Sequence, residues 1–367
     1  HAGLQRAASH RLGRLRSARR ERGDGPQHRR AAGLACEREP EDLVLRDEAR
    51  ERPARGQMEA IPTETVYGRA ADAQNPQAVA QIFATKGRPA DHPLIVHIAS
   101  AAQAHIFASS VPAFAQALMN KFWPGPLTVI LPRQPDIAAA AAGGQASVGL
   151  RVPAHPQALA LLQACAQRGV HGLAAPSANR FGKVSPTSAQ HVSDEFGSSV
   201  PILDGGDCAV GIESTIVDCS RGAPIVLRPG QISTADLNAA LAPLGLQLQD
   251  AAVAQTAAPK ASGTLEAHYA PRAKVRLMDA AMLQTALDVL GLDAKNIATY
   301  SRSILRTPAP TVLRRHMPQD AAAAAHELFA VLRQLDAQGV NLIWVESPPN
   351  TPEWDGVRDR LQRAAAA

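Results

Sequence analysis

A chain of 367 residues, 46% hydrophobic and 19% charged, is long enough for about two packed domains. Aromatics are only 4%, so alanine and leucine must fill the cores. No stretch approaches the ~18 consecutive apolar residues of a membrane span. No apolar secretory segment follows the basic N-terminus, and the four cysteines (Cys36, Cys165, Cys208, Cys219) form neither a C-x-x-C pair nor a zinc spacing. The expectation is a reduced, cytoplasmic protein without membrane contact. The net charge of +5 invites a nucleic-acid reading, yet residues 1–57 hold fourteen arginines against nine acids, and the rest balances at 24 of each sign. The body therefore lacks the basic excess that would dominate binding to a phosphate backbone.

Residues 1–57 show no sustained helical or strand period and are rich in Arg, Gly, Glu and Pro, which predicts disorder. The cluster Arg11, Arg14, Arg16, Arg19 and Arg20 could meet RNA phosphates. The favoured reading is a spurious upstream stretch, because the first methionine is Met58 and globular character begins just after it.

From residue 61 strands and helices alternate. Asn75-Pro76 reads as a helix N-cap and N1 proline before the apolar stripe Ala78, Val79, Ile82 and Phe83. Strands are expected over Pro93–Ala99, Leu127–Leu131, Val148–Val152, Gly172–Ala175, Ile202–Asp204, Ser214–Asp218 and Ile225–Arg228. Helices are expected over Pro112–Trp123, Pro156–Ala166 and Thr187–Phe196. This is an α/β pattern whose close-set later strands imply a mixed sheet. Residues 249–263 carry few large apolar side chains and read as a linker. A second alternation follows: strands over Lys274–Met278, Ile297–Tyr300, Thr311–Leu313 and Leu342–Val345, helices over Ala281–Leu290, Ala321–Gln338 and Trp354–Ala366. It has no G-x-G-x-x-G, so a dinucleotide cofactor is not expected. The domains are thus 58–248, a linker or lid over 249–271, and 272–367.

No phosphate-binding P-loop, H-E-x-x-H or G-x-S-x-G string is present. The chemistry-bearing residues lie instead in short polar strings at strand ends. Each has a bland alternative: Lys86 and Arg88 could cap a helix C-terminus, Ser177 and Asn179 could form a turn, and His97 could be a satisfied core histidine. Arg151, between Leu150 and Val152 in an apolar strand, needs an anionic partner, and a carboxylate or phosphate suits its planar fork.

Taken in order, PTETVYG (62–68), KGRPADHPLIVH (86–97), FWPGPLT (122–128), GLRVP (149–153), APSANRFGKVSPT (175–187), GIESTIVD (211–218), LRPG (227–230) and ASGTLEAHYAP (261–271) resemble the Sua5/YrdC/YciO family of threonylcarbamoyl-AMP synthases, in its longer two-domain form. The resemblance covers about 61–367. It implies a YrdC-like twisted mixed sheet with helices, plus a small C-terminal Rossmann-like domain. It also implies a nucleotidyltransferase that converts L-threonine, bicarbonate or CO2, and ATP to L-threonylcarbamoyl-adenylate and pyrophosphate, for N6-threonylcarbamoyladenosine in tRNA. Contact with tRNA would be indirect, through a downstream transferase. By the same resemblance, Thr65, His97, Arg151, the backbone at Ala175, and Ser214 fall where the family holds threonine. Arg88, His92, Ser147, Ser177, Asn179, Ser185, Arg228 and Tyr269 fall where it holds ATP or the adenylate. Lys86 and Arg88 would do the catalysis by neutralising charge, with Mg2+ on the phosphate oxygens and no dedicated protein metal site. Tyr269 lies in the linker, so the linker would fold over the cleft as a lid.

Three departures stand out. The family reads Y-G-L-G-A-D-A where this chain has Tyr67-Gly68-Arg69-Ala70-Ala71-Asp72-Ala73, His92 stands where Asn is common, and the family's helix and apolar strand before Pro62 meet the polar Arg52–Glu59 here. The last predicts that one sheet strand and its helix are absent or altered, with an exposed edge, uncovered apolar surface and a poorly folded or inactive copy. A non-catalytic RNA-binding module is the alternative from another class.

Overall fold

The computed structural model describes residues 48–49, 51–250 and 257–367. The Arg-rich segment up to residue 47, with Cys36, and residues 251–256 of the expected linker lie outside the described residues.

Two sheets organise the molecule. The first has eight strands: β1 (Glu59–Ile61), β2 (Gly68–Asp72), β3 (Ile95–His97), β4 (Leu127–Pro132), β5 (Ser147–Arg151), β6 (Leu173–Ala174), β7 (Thr215–Asp218) and β8 (Ile225–Arg228). Their spatial order is β1-β2-β6-β3-β5-β4-β7-β8. β3 with β5 and β4 with β7 are parallel, and the other neighbours are antiparallel. Helices α1 (Pro76–Lys86), α2 (Ala113–Phe122), α3 (Pro156–Ala166), α4 (Ala189–Phe196) and α5 (Thr234–Leu241) accompany it. Local chemistry sets the ends of α1. Asn75 accepts from the amides of Gln77 and Ala78, Pro76 opens the first turn, and Gly87 closes the last with a left-handed φ of 63°. That turn ends the helix at Lys86 and sends Arg88 toward the strand ends. Ala78, Val79, Ile82 and Phe83 of α1 meet Leu118 of α2, Val129 of β4 and Leu237 of α5 in one buried cluster.

The second sheet is wholly parallel: β9 (Lys274–Met278), β10 (Ile297–Ser301), β11 (Leu313–His316) and β12 (Leu342–Glu346), ordered β11-β10-β12-β9. With α6 (Ala280–Leu290), α7 (Ala321–Ala337) and α8 (Asp355–Ala365), it makes the small doubly wound unit expected from the sequence. Leu328, Leu332, Ile343 and Leu361 pack in its core.

The expected loss of the first strand is corrected. β1 is present and pairs antiparallel with β2, and Ala60 also bridges Ile202. Its polar residue is accommodated by pairing, since Arg52 Nη1 donates to the buried Glu59 Oε1 at 3.0 Å. Burial pushes the Glu59 carboxyl up to about 7 even so, with Arg52 opposing. Order also begins ahead of residue 58, in a turn over Pro53–Arg55 with Pro53 and Ala49 buried. Elsewhere, Ile202–Asp204 forms only the single bridge and no strand. β11 starts at Leu313 rather than Thr311, and its Arg314, Arg315 and His316 suit an exposed sheet edge. β2 and α5 were not foreseen, because Gly-Arg-Ala-Ala-Asp lacks the β-branched residues of a legible strand.

Candidate active site

A cavity opens where the chain leaves or enters the strands of the mixed sheet. It gathers Thr65, His97, Arg151, Ala175 and Ser214 with Arg88, Ser177, Arg228 and Tyr269. An adjoining, mostly apolar cavity shares Ile95 and Ser262 with it, and Ser147 lies there. Four expected residues line neither. Lys86 sits behind the wall, its Nζ donating to the carbonyls of Ser177 and Asn179. Asn179 clasps its own loop, Nδ2 donating to Arg180 O at 2.7 Å and Lys183 O at 2.9 Å. Ser185 donates to Glu213 Oε1. His92 meets Phe181 edge-on at 5.7 Å, and Arg88 lies over the same ring.

The positive wall is buried. Arg228 is buried; Nε and Nη2 donate to Ser214 O at 3.1 and 3.0 Å, and Nη2 also to Ser214 Oγ at 3.2 Å. Arg228 Nη1 donates to Ser262 O at 2.8 Å. Arg88 Nη2 donates to Pro93 O at 3.0 Å and Ser262 Oγ at 3.2 Å, while its Nε has no hydrogen-bond partner among the described residues. Burial lowers both guanidiniums, Arg88 to about 10, which leaves Arg88 charged at neutral pH. Burial, then Arg88 and Arg69, holds the Lys86 ammonium well below its usual range. Concentrating cations in a water-poor pocket costs free energy that an anionic ligand offsets.

The opposite wall is engaged internally. Arg151 Nη2 pairs with Glu64 Oε1 at 2.6 Å, Nη1 donates to Thr65 Oγ1 at 2.8 Å, and Nε donates to Gly125 O at 3.1 Å. The other Glu64 oxygen accepts from Ala154 N at 3.1 Å. The arginine's need for a partner, inferred from its strand position, is thus met partly by Glu64. His97 is buried with Nδ1 unpartnered among the described residues, and burial followed by Arg151 pushes its imidazole down to about 3. It is neutral at working pH and able to exchange one hydrogen bond with a ligand.

Linker residues close the cavity. Ser262, Gly263, His268 and Tyr269 line it. Lys260 pairs with Asp91 and donates its amide to Gln145 Oε1 at 2.8 Å, and Ser262 Oγ donates to Pro93 O at 2.8 Å. Tyr269 is fully enclosed, stacks on Phe329 of α7 at 5.4 Å and takes a left-handed φ of 60°. Burial, then Glu213, pushes its phenol up to about 12.

Sequence reasoning missed Glu213, Ser262, His268 and, from α8, Arg360. Glu213, Ser262 and His268 sit inside recognised strings; Arg360 had no sequence signal. Arg69 is the other surprise. It is buried beside Phe196, 4.2 Å from the ring centroid, with Nε and Nη1 unpartnered among the described residues.

Cations, hydroxyls and a neutral histidine converging under a folded-over linker define a protein that gathers anionic small molecules. The Sua5_yciO_yrdC family model, described as telomere recombination, matches residues 53–230. The model of the threonylcarbamoyl-AMP synthase C-terminal domain matches residues 232–366. Threonylcarbamoyl-AMP synthase of Pyrococcus abyssi is 35% identical over 318 residues, 84% of this chain and 91% of that protein. The Bacillus subtilis threonylcarbamoyl-AMP synthase is 37% identical over 322 residues, 83% and 88% of the two chains. The crystal structure of P. abyssi Sua5 complexed with L-threonine superposes with a TM-score of 0.78 at 33% identity, covering 88% of this chain and 94% of that one. The chain belongs to the Sua5/YrdC/YciO family of threonylcarbamoyl-AMP synthases, in its two-domain form.

Proposed function

We propose that the protein is a nucleotidyltransferase that makes L-threonylcarbamoyl-adenylate and pyrophosphate from L-threonine, bicarbonate or CO2, and ATP. The observation that carries this reading is one cavity holding Thr65, His97, Arg151 and Ser214 beside Arg88, Ser177 and Arg228. The amine of threonine adds to CO2 and loses a proton, giving a carbamate. A carbamate oxygen then forms a bond to the α-phosphorus while the bond to the bridging oxygen breaks, and pyrophosphate leaves with that electron pair. No protein nucleophile is needed. The protein's share is to hold two anions together and neutralise charge on the departing pyrophosphate.

In this reading threonine occupies the Thr65, His97, Arg151, Ala175 and Ser214 side. The phosphates meet Arg88, Ser177 and Arg228, and the nucleoside extends toward Ser147 and His92. Each charge-assisted contact is worth roughly 1.5–3 kcal/mol. Lys86 acts through the 177–179 loop whose carbonyls it holds, and Asn179 and Ser185 support the same wall. Ser262 stands where phosphate oxygens would compete for Arg88 and Arg228, so the linker must yield as the nucleotide enters, then close to exclude water from the mixed anhydride.

Mg2+ fits as a passenger on ATP. Glu213, the carboxylate on the cavity wall, has one oxygen on Ser185 and the other on Arg360. No group of three His, Cys, Asp or Glu among the described residues could hold an ion. The ion would supply neutralising charge to the phosphate oxygens.

A cytoplasmic site fits the three buried free cysteines Cys165, Cys208 and Cys219. No helix among the described residues is long and apolar enough to cross a membrane. The adenylate would pass to a transferase acting on tRNA. The test is pyrophosphate release by the purified protein with threonine, bicarbonate and ATP. Release should require all three, and ATP turnover indifferent to threonine would overturn the reading.

A further inference from the structure

Arg360, in the middle of α8, is completely buried, although the cavity is built from the other sheet. Its donors are all directed at two cavity loops and its own helix. Nε donates to Glu213 Oε2 at 2.9 Å and Nη2 to Glu213 O at 3.0 Å. Nη1 donates to Pro229 O at 2.7 Å and to Asp359 Oδ2 at 2.8 Å. The guanidinium lies 5.4 Å from the centre of the Tyr269 ring. Glu213 directly precedes Ser214, and Pro229 directly follows Arg228. One side chain therefore holds the residue before the hydroxyl, the residue after the guanidinium, and the ring that covers the cavity.

Backbone packing carries the same point independently. Gly356, one turn before Arg360, lies so close to the loop that a Cβ there would sit 2.8 Å from Gly230 O and from Ile212 Cδ1. Gly211 has a left-handed φ of 83°, and a Cβ on it would collide with His326 O of α7. The 211–214 loop is thus gripped between α7 and α8. Glu213 stays ionised in this setting: burial would raise its carboxyl, and Arg360, Arg228 and Ser185 outweigh that to lower it.

We propose that Arg360 is a positioning residue for the reaction, through which the C-terminal parallel sheet sets the spacing of Ser214, Arg228 and Tyr269 and so the affinity for both substrates. This rests on the reading that Ser214 and Arg228 hold threonine and the nucleotide. The C-terminal unit then braces the cavity from behind, through Glu213 and Pro229.

The experiment compares full-length wild type with Arg360→Met, Arg360→Lys and Glu213→Gln. It uses ATP binding alone and threonine binding alone by titration, KM and kcat for pyrophosphate release, and thermal unfolding to give the folded fraction. Arg360→Met should raise the KM for ATP by roughly tenfold or more in protein that is still folded, as truncation of one member of a buried charge pair does. Arg360→Lys, which keeps the charge but cannot reach Glu213 and Pro229 together, should fall between. Glu213→Gln, the same size without the charge, should reproduce part of the rise should the methionine variant fold poorly. A merely structural role predicts a lower apparent kcat in proportion to the folded fraction, with wild-type KM and ligand affinities in every variant; that result overturns the proposal. Wild type that binds both ligands but releases no pyrophosphate would sink the assigned reaction while leaving the affinity comparison decisive for Arg360. Wild type that binds neither would sink both.

Discussion

The two sheets share a strand–helix grammar and differ in what they bury. The parallel sheet spends its interior on apolar packing; along its strands the buried polar residues are Thr299, Ser301 and Glu346, the last satisfied by Arg302 Nη2 at 2.9 Å and Ser303 N at 2.7 Å. The mixed sheet and its loops bury Lys86, Arg88, His97, Arg151, Glu213 and Arg228 in and around one cavity. Buried charges are costly unless paired; here most of them are held by loop carbonyls and hydroxyls rather than by carboxylates, and Arg88 Nε and His97 Nδ1 have no partner among the described residues. One region is organised for stability, and the other gives up stability to hold anions. A cavity of that kind needs an external frame, which α7 and α8 supply.

Substitutions can break or sharpen this contrast. The largest effect is expected at Arg151. Arg151→Ala leaves Glu64 buried without its cation and should cost about 3–5 kcal/mol in denaturant unfolding. Adding Glu64→Gln should recover part of that loss without restoring threonine binding. Arg228→Ala removes charge from the phosphate side and should slow pyrophosphate release by about 100–1,000-fold, with a smaller change in unfolding than Arg151→Ala. A near-wild-type rate would separate Arg228 from the chemistry.

Leu332→Ala, in the core of the parallel sheet, should cost about 3 kcal/mol yet leave KM for threonine and ATP unchanged in the folded protein. A shifted KM would mean that packing of the second core tunes the cavity generally, not through Arg360 alone. The smallest effect belongs to Glu59. Its folded value of about 7 lies above the unbound 4.5, so the folded state holds the proton more tightly. The stability this contributes is complete below pH 4.5 and is lost as pH rises through 7. Glu59→Gln should flatten that part of the melting-temperature profile, and an unchanged slope would show that Arg52 compensates the carboxylate fully.

Local chemistry made much of the molecule legible. Asn75-Pro76 announced α1, Pro156–Ala166 was read to the residue as α3, and β8 likewise over Ile225–Arg228. Arg151 in an apolar strand signalled a buried anionic partner. Its partner Glu64 could not be read because it lies 87 residues earlier and meets Arg151 only when β5 and the 62–68 turn come together. β1 was misread for a different reason: Glu59 is polar by composition, and its burial in the strand is accommodated by Arg52, only seven residues away.

The sequence by itself determined most of the strands and helices and the family motifs, because periodicity, caps and ordered strings are properties of neighbouring residues. Tertiary structure alone decided that Lys86 faces loop carbonyls rather than the cavity, that Ser262 occupies Arg88 and Arg228, and that Arg360 reaches across 147 residues to Glu213. Those outcomes depend on which buried donor finds which acceptor once water is excluded, a competition settled in three dimensions and not along the chain.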